Sequence, residues 1–370
     1  MPEKSGSSWR EIRSNIDLLM LFATIALFLF GIAAIYSASP NKAVTMSSFA
    51  VRQLVWGGTS AVVYVMVLKI GYQRFLDLAG PLFAVMVMVL VLLLAVGYTS
   101  KGSQSWFNLG FFRIQPSEMG KVILALALAQ VCFKLPPTDF KGIVAAAGLA
   151  GVMIVLILLQ PDLGSSLVYS VMFFGVLVAA GAPVKFLSGI VLSILAMLPV
   201  AWMFLKPYQK MRLMVFLDPT IDPQGAGYNV IQSRIAVGSG GLFGKGFLHG
   251  TQGKLHFLPE PHTDFIFSVF SEEFGFIGCL VVLILFTMLL LRMLNVAYYT
   301  RDNRGKLLTA GIVAWIWFQI TESIGMSMGL LPVTGLPLPL FSYGGSSLLA
   351  VAIALALVQS VVIVSRAGRF

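Results

Sequence analysis

Polar and ionisable side chains at the ends of long apolar runs are the residues of this sequence that could do chemistry. They form four groups: Arg113, Gln115, Pro116, Ser117, Glu118 and Lys121; Gln160, Pro161 and Asp162; His262, Thr263 and Asp264; Pro332, Gly335, Pro337, Pro339 and residues 342–346. Ionisable groups at such positions are costly to bury, so they are candidates for function.

Asp264 begins a long apolar run, and the residues three and four positions later, Phe267 and Ser268, supply no cation. One interpretation makes Asp264 the N-terminal cap of a helix, which is a common role for Asp. The other makes it a general base, because a carboxylate without an obvious local partner in a partly dry site can accept a proton. Both interpretations stay open at this point.

Lys121 lies about one helical turn inside an apolar run and therefore needs a counter-charge. We predict Asp162 as its partner, in an ion pair that clamps two helices together. A second interpretation gives Arg113 and Lys121 a direct role as positive charge in the site of an anionic ligand. Ser117 is expected to cap this helix, with Glu118 stabilised by the positive end of the helix dipole.

A glycine-rich segment, residues 238–246, superficially resembles a phosphate-binding loop. Its spacing is wrong for that motif, Gly246 stands at the Ser/Thr position, and no strand precedes it. It could still form a backbone nest for phosphate oxygens together with Lys245, or be a flexible turn. The three histidines of the chain lack the spacing of a zinc motif, so we predict no metal site.

The composition indicates a membrane protein. Of the 370 residues, 58% are hydrophobic and 11% are charged, whereas soluble domains have about 45–50% and about 25%. The net charge of +10 fits Lys and Arg in cytoplasmic loops, and no nucleic-acid partner is predicted. Cys132 and Cys279 lie in apolar stretches, which favours neither a disulfide nor a metal site.

Apolar runs of about 20 residues, the length that crosses a bilayer, predict about ten transmembrane helices. These are residues 17–37, 49–69, 75–98, 117–134, 142–160, 163–181, 186–205, 264–292, 308–330 and 345–366. The predicted fold is an all-α polytopic integral membrane protein, with residues 1–370 as a single domain. The first run exceeds a signal-peptide core, and we expect it to stay as a signal anchor.

Lys and Arg concentrate in alternate short loops, which predicts that both termini are cytoplasmic. The four polar groups then all face the extracytoplasmic side. So does a large loop, residues 206–263, between helices seven and eight. Because this loop mixes apolar, basic and Gly residues without low complexity, we predict an ordered element that covers a substrate.

A site on that side has no ATP or nucleotide sugar, so a transferase there needs a donor that arrives activated and carried in the membrane. A polyprenyl-diphosphate-linked sugar meets both requirements. The reaction needs one base for the acceptor hydroxyl and positive charge for the diphosphate, and paired glycosidase carboxylates are not required. Asp264 fits the first role, and Arg113, Lys121, Arg212 and Lys245 fit the second.

The motifs also resemble those of the SEDS (shape, elongation, division and sporulation) family, in family order along nearly the whole chain. The similar segments are residues 115–118, 160–164, 246–252, 257–267, 337–339 and 342–346. The stretch Gly-Lys-Gly-Phe-Leu-His-Gly-Thr-Gln at residues 244–252 is more similar to the elongation (RodA) branch than to the division (FtsW) branch.

The resemblance implies a peptidoglycan glycosyltransferase that polymerises lipid II, an undecaprenyl-diphosphate-linked disaccharide-pentapeptide, on the periplasmic face of the bacterial inner membrane. The bond implied is β-1,4, formed with inversion, during elongation and rod-shape maintenance. The implied partners are a class B penicillin-binding protein transpeptidase and membrane proteins of the elongation complex. A divalent cation, Mg²⁺ or Mn²⁺, could assist the diphosphate, although the sequence shows no dedicated ligand set.

Carried over by position, Asp264 matches the family's essential aspartate, the base at the acceptor's 4-hydroxyl. Lys121 and Asp162 match a structurally important ion pair, and Arg113 and Glu118 match neighbouring important positions.

Arg212, Lys245, His262 and Ser342 complete the predicted substrate-binding set. Two residues depart from the family pattern: His256 replaces a frequent acidic residue, and Ser323 replaces a frequent Asn.

Three alternatives stay open, namely a lipid II flippase, a division-type member of the same family and a non-catalytic scaffold. A transporter is expected to bind its substrate near the membrane midplane, often on broken helices. The matched motifs here lie at one surface, which favours an enzyme.

Overall fold

The structure is a computed structural model that describes residues 9–39, 48–100, 103–108, 113–223, 225–251, 257–258 and 260–368. The helices are α1 (Trp9–Asn15), α2 (Leu18–Ala38), α3 (Phe49–Ile70), α4 (Tyr72–Asp77), α5 (Ala79–Val96), α6 (Pro116–Lys134), α7 (Phe140–Leu159), α8 (Leu163–Ala179), α9 (Val184–Phe204), α10 (Pro207–Leu217), α11 (Ala226–Ser239), α12 (Ile266–Tyr299), α13 (Asn303–Met328) and α14 (Gly345–Arg366). A small antiparallel sheet of β1 (Tyr98–Ser100), β2 (Ser103–Asn108) and β3 (Arg113–Ile114) precedes α6.

Within the described residues, seven helices are long and apolar enough to cross a membrane, namely α2, α3, α6, α7, α12, α13 and α14. Three shorter apolar helices, α5, α8 and α9, coincide with the other three predicted spans. Each of the ten predicted spans is therefore an apolar helix, which confirms the predicted all-α polytopic membrane fold. The sheet was not predicted, and it occupies only the connection between α5 and α6.

The helices α6, α13 and α14 form the centre of the bundle, because most of their span residues are buried. Around them, α14 packs against α3, α13 packs against α6, α8 and α12, and α12 packs against α2. Small residues allow these close approaches. A Cβ on Gly311 of α13, for example, would lie 2.9 Å from Cγ2 of Val176 on α8.

The described residues of the large loop between α9 and α12 contain two α-helices, α10 and α11. The sequence indicated only a helix-like run at residues 228–237, which is part of α11. It missed α10, although the N-terminal signals are present: Pro207 occupies the first turn, and Oε1 of Gln209 accepts a hydrogen bond from the Lys206 N–H at 2.9 Å. A 3₁₀ turn, Pro219–Ile221, joins the two helices.

The long helix α12 is broken at Gly275, whose backbone has φ 63° and ψ −163°. The glycine-rich segment, residues 238–246, supplies the hydrogen bonds that the break removes. The four backbone bonds are Phe276 N–H to Gly241 O, Ile277 N–H to Leu242 O, Lys245 N–H to Glu272 O and Gly246 N–H to Glu273 O, all between 2.9 and 3.1 Å. The backbone of this segment is therefore hydrogen-bonded to α12 on both sides of the break.

Gly275→Ala is expected to destabilise the protein by about 1–3 kcal/mol. The left-handed φ is unfavourable for Ala, and its Cβ would overlap the backbone nitrogen of Gly244. Thermal unfolding in detergent measures the effect. The control is Gly58→Ala, since a Cβ on Gly58 of α3 meets nothing within 4 Å. Equal midpoints for the two variants would show that the break does not depend on glycine.

Candidate active site

A cavity of about 320 Å³ lies where α10 and α11 face the residues ahead of α12. Its polar side chains are Arg212 from α10, Asn229 from α11, and Glu260 and Asp264 from the segment before α12. Apolar groups of α10, α11 and residues 331–333 form the remaining wall. Concave sites with an apolar lining and a few converging polar groups are typical of small-molecule binding.

Asp264 does not cap α12. The helix begins at Ile266, and Phe265 occupies the cap position without a side-chain cap hydrogen bond, so the capping interpretation is wrong. Asp264 does have interactions within the protein, and thus is not the partnerless carboxylate that the sequence suggested. The backbone of Gly335 passes close by, since a Cβ there would lie 3.6 Å from Oδ2 of Asp264.

Two hydrogen bonds from the segment ahead of α14 hold the residues that precede Asp264. The hydroxyl of Ser342 donates to the carbonyl of Thr263 at 2.8 Å, and the Tyr343 N–H donates to the carbonyl of His262 at 3.0 Å. Ser342 was predicted to contact substrate, but its side chain is buried and bonded within the protein. Its geometry is that of a residue that positions Asp264.

The ring of His262 stacks on Phe49, with 4.0 Å between the ring centroids. Its Nε2 lies 3.8 Å from Oε2 of Glu260, which lines the cavity. His262 itself was predicted to bind substrate; its ring packs against Phe49 of α3, and it is not among the residues that line the cavity. His256, which departs from the family pattern, lies outside the residues that the structure describes.

Lys121 pairs with Glu118 and not with Asp162. Nζ of Lys121 lies 2.6 Å from Oε1 of Glu118, and both side chains are buried. Nζ also donates to Oε1 of Gln319 at 3.2 Å and lies 5.4 Å from the ring centroid of Trp315. The predicted Lys121–Asp162 ion pair is therefore wrong, because residues three apart on one helix are already neighbours.

Asp162 instead caps α8. Its carboxylate accepts hydrogen bonds from the N–H and hydroxyl of Ser165 at 2.9 and 2.8 Å, and from the Gln115 side chain at 3.3 Å. The cap predicted for Ser117 is wrong as well. Gln115 holds the cap position of α6 without a side-chain bond, and the Ser117 hydroxyl is buried with no hydrogen-bond partner.

The buried Lys121–Glu118 pair is linked to the segment that contacts Asp264. Gln319, which accepts from Lys121, donates through Nε2 to the carbonyl of Pro337 at 2.7 Å. Pro337 and Gly335 belong to the same short connection between α13 and α14. Lys121 therefore contributes to the site through this connection and does not line the cavity.

Two other predicted cations also lie away from the cavity lining. Arg113 is exposed on β3, and its carbonyl accepts from the Ser346 hydroxyl at the start of α14. Lys245 pairs with the buried Glu272 at 2.7 Å, and Glu272 also accepts from Thr251. The phosphate nest proposed around Lys245 is wrong, because the neighbouring N–H groups bond to α12.

Arg212 is thus the predicted cation that the structure brings to the same cavity as Asp264. Sequence reasoning missed Asn229, which carries no distinguishing signal, and left Glu322 of α13 unassigned. Glu322 is buried, accepts a hydrogen bond from Thr334, and lies within electrostatic reach of Asp264 and Arg212. The sequence feature that could have identified Glu322 as a candidate is its charge inside an apolar run.

Comparison with known proteins agrees with this architecture. The chain is 38% identical over 349 residues to the peptidoglycan glycosyltransferase MrdB of Escherichia coli (strain K12), covering 94% of this chain and 93% of that protein. A chain from "Structural coordination of polymerization and crosslinking by a peptidoglycan synthase complex" superposes with a TM-score of 0.81 and 32% identity, covering 95% of this chain and 98% of that one.

The crystal structure of the rod shape determining protein RodA of Thermus thermophilus superposes with a TM-score of 0.72 and 30% identity, covering 95% of this chain and 97% of that one. The family described as FtsW, RodA and SpoVE cell cycle proteins matches residues 17–367, which include every motif singled out above. This chain is a multi-pass membrane protein that belongs to the FtsW/RodA/SpoVE family, the SEDS family that its motifs predicted.

Proposed function

We propose that this protein is an elongation-type peptidoglycan glycosyltransferase, which polymerises lipid II on the periplasmic face of the bacterial inner membrane, with both termini in the cytoplasm. The observation that carries the proposal is one cavity that contains both a carboxylate, Asp264, and a guanidinium, Arg212. These are the base and the positive charge that transfer from a diphosphate-linked sugar requires.

In the proposed reaction, Asp264 accepts the proton of the acceptor sugar's 4-hydroxyl while that oxygen attacks the anomeric carbon of the donor. The new carbon–oxygen bond forms as the bond to the diphosphate breaks, and the electron pair leaves with the diphosphate. Attack from the opposite side inverts the anomeric carbon and gives a β-1,4 bond. Arg212 stabilises the charge that develops on the leaving group, and Asp264 then loses its proton to water.

The size of the cavity limits which part of the substrate it holds. At about 320 Å³ it is at the lower end of ligand pockets, so it accommodates the reacting hydroxyl and the adjoining diphosphate and not a whole lipid-linked disaccharide. The apolar groups of α10 and α11 exclude water from the reacting atoms. Lipid chains and peptides extend outside the cavity.

The proposed partners are a class B penicillin-binding protein and other membrane proteins of the elongation complex. The similarity to a chain of a peptidoglycan synthase complex supports the penicillin-binding protein as a partner.

A Mg²⁺ or Mn²⁺ ion would add positive charge at the diphosphate. Within the described part of the chain no group of three or more His, Cys, Asp or Glu residues could hold a metal, so we propose that such an ion binds through the diphosphate.

Purified protein in liposomes with labelled lipid II tests the function, with and without the transpeptidase. We expect glycan chains longer than one disaccharide on a gel. A parallel measurement follows the movement of labelled lipid II between leaflets. Lipid II movement without glycan chains under every partner condition would favour the flippase alternative and reject the enzyme.

Arg212→Gln is expected to lower kcat by about 10²–10³-fold, because the charge on the leaving diphosphate loses its stabilising partner. Lys210→Gln is the matched control, since it removes a positive charge from the same helix at a position outside the cavity lining. We expect the control to keep kcat within about twofold of the wild type. An equal loss in both variants would point to the net charge of α10 instead of the Arg212 site.

A further inference from the structure

A second cavity, of about 260 Å³, lies where the start of α2 meets the C-terminal ends of α12 and α14. Its lining includes six charged or hydrogen-bonding side chains, those of Asp17, Arg292, Asn295, Thr300, Ser365 and Arg366. Asp264 precedes the first residue of α12, whereas this cavity lies at its last residues. The two cavities therefore lie towards opposite ends of α12.

The charges of the described side chains that line this cavity do not balance. Oδ2 of Asp17 accepts hydrogen bonds from Nε of Arg292 at 3.0 Å, from Nη2 of Arg292, and from Nη2 of Arg366 at 3.4 Å. Burial would raise the pKa of Asp17, but these bonds, the Met20 N–H and the two positive charges hold that pKa below its ordinary value. Two guanidinium groups therefore face one carboxylate, which leaves an excess of one positive charge.

Two hydrogen-bond donors of this cavity also have no partner within the part of the chain that the structure describes. Arg292 uses Nε and Nη2 on Asp17, and among the contacts of the described residues its Nη1 has no partner. The hydroxyl of Thr300 is buried without a hydrogen-bond partner. Buried polar groups normally find a partner in the protein, in water or in a ligand. The side chains of Arg292 and Arg366 are 31% and 43% exposed, so a ligand can reach both.

We propose that this cavity binds a phosphate group with a single net negative charge, supplied by an anionic lipid headgroup or by free phosphate. Guanidinium groups match phosphate oxygens with paired hydrogen bonds, and one negative charge neutralises the excess. The cavity lies at the end of the bundle beside exposed Tyr298 and Tyr299, a residue type enriched at membrane interfaces. An ethanolamine headgroup adds an ammonium beside the two arginines, which disfavours it.

The experiment measures binding to purified, delipidated full-length protein by native mass spectrometry. The probes are phosphatidylglycerol, phosphatidylethanolamine with the same acyl chains, and inorganic phosphate. We expect phosphatidylglycerol to bind about tenfold more tightly than phosphatidylethanolamine. Displacement by millimolar inorganic phosphate would identify free phosphate as a ligand too, whereas phosphatidylglycerol that resists it would identify the lipid as the source. Equal binding of the two lipids together with no binding of inorganic phosphate overturns the proposal.

Four variants test the site itself. Arg366→Gln is expected to weaken phosphatidylglycerol binding about tenfold, and Thr300→Val about threefold. Asp17→Asn keeps the acceptor that caps α2 and is expected to strengthen binding, since it adds to the positive excess. Arg301→Gln is the matched control, because Arg301 is exposed next to Thr300 but outside the cavity lining.

A loss with Arg301→Gln equal to that with Arg366→Gln would show attraction to surface charge alone and would overturn the proposal. Weaker binding by folded Asp17→Asn would also overturn it. If the Asp17 or Arg366 variant fails to fold, Thr300→Val decides, because that hydroxyl has no hydrogen bond in the protein to lose. Unchanged binding by Thr300→Val in that case rejects the site. None of these outcomes depends on the glycosyltransferase activity.

Discussion

Asp264→Asn is expected to lower the rate of glycan polymerisation by about 10²–10⁴-fold, the range in which a positioned general base contributes. The amide keeps the shape of the side chain but cannot accept the proton of the acceptor hydroxyl. Because Asp264 does not cap α12, the thermal unfolding midpoint is expected to stay close to that of the wild type. Gel analysis of lipid II polymerisation, with the transpeptidase present, measures the rate.

Asp218→Asn is the control for this experiment. It removes a carboxylate from the large loop outside the cavity lining, at an exposed position where Asp218 only caps a 3₁₀ turn. We expect it to polymerise lipid II at about the wild-type rate, within about twofold. A folded Asp264→Asn protein that polymerises as fast as Asp218→Asn would remove Asp264 from the role of base.

Lys121→Met is expected to destabilise the protein by about 3–5 kcal/mol, since it leaves the buried carboxylate of Glu118 without its partner. The double variant Glu118→Gln with Lys121→Met removes both charges and is expected to recover most of that loss. Asp162→Asn should cost well under about 1 kcal/mol, because Asn keeps the side-chain oxygen that caps α8. Chemical or thermal unfolding in detergent compares the three proteins.

The same proteins separate a structural role from a direct role in the reaction. A folded double variant that polymerises lipid II would make the pair purely structural, whereas a folded and inactive one would indicate that the site also needs the bond from Lys121 to Gln319. If Asp162→Asn, in place of Glu118→Gln, restored the stability of Lys121→Met, the pairing in the structure would be contradicted.

The membrane spans could be predicted because each is an apolar run whose length matches the bilayer. The ion-pair partner of Lys121 could not be predicted as reliably. Asp162 and Lys121 both lie near the same end of the bundle, but similar depth does not establish contact. Glu118, one turn back on the same helix, was the simpler partner. Helix geometry favours such neighbours without any tertiary information.

The role of the glycine-rich segment could not be predicted from the sequence for a different reason. Its composition is compatible with a phosphate nest, and its actual role depends on the break in α12 at Gly275. Gly275 and the segment are about thirty residues apart in sequence, and only the packed structure shows that their backbones share hydrogen bonds. For the same reason Lys245 and Arg212 were equally good candidates in the sequence, whereas of these two only Arg212 lines the cavity with Asp264.

Covalent mapping of bound lipid II tests most directly the central claim, that the acceptor hydroxyl and the donor diphosphate meet in the cavity between Arg212 and Asp264. A lipid II analogue with a photoreactive group on the sugar carbon next to its diphosphate is bound to the wild-type protein, irradiated and analysed by peptide mass spectrometry. We predict adducts on Asn229 and residues 331–333, which line the cavity, and none at Lys245. Adducts at Lys245 with an unlabelled cavity would contradict the account.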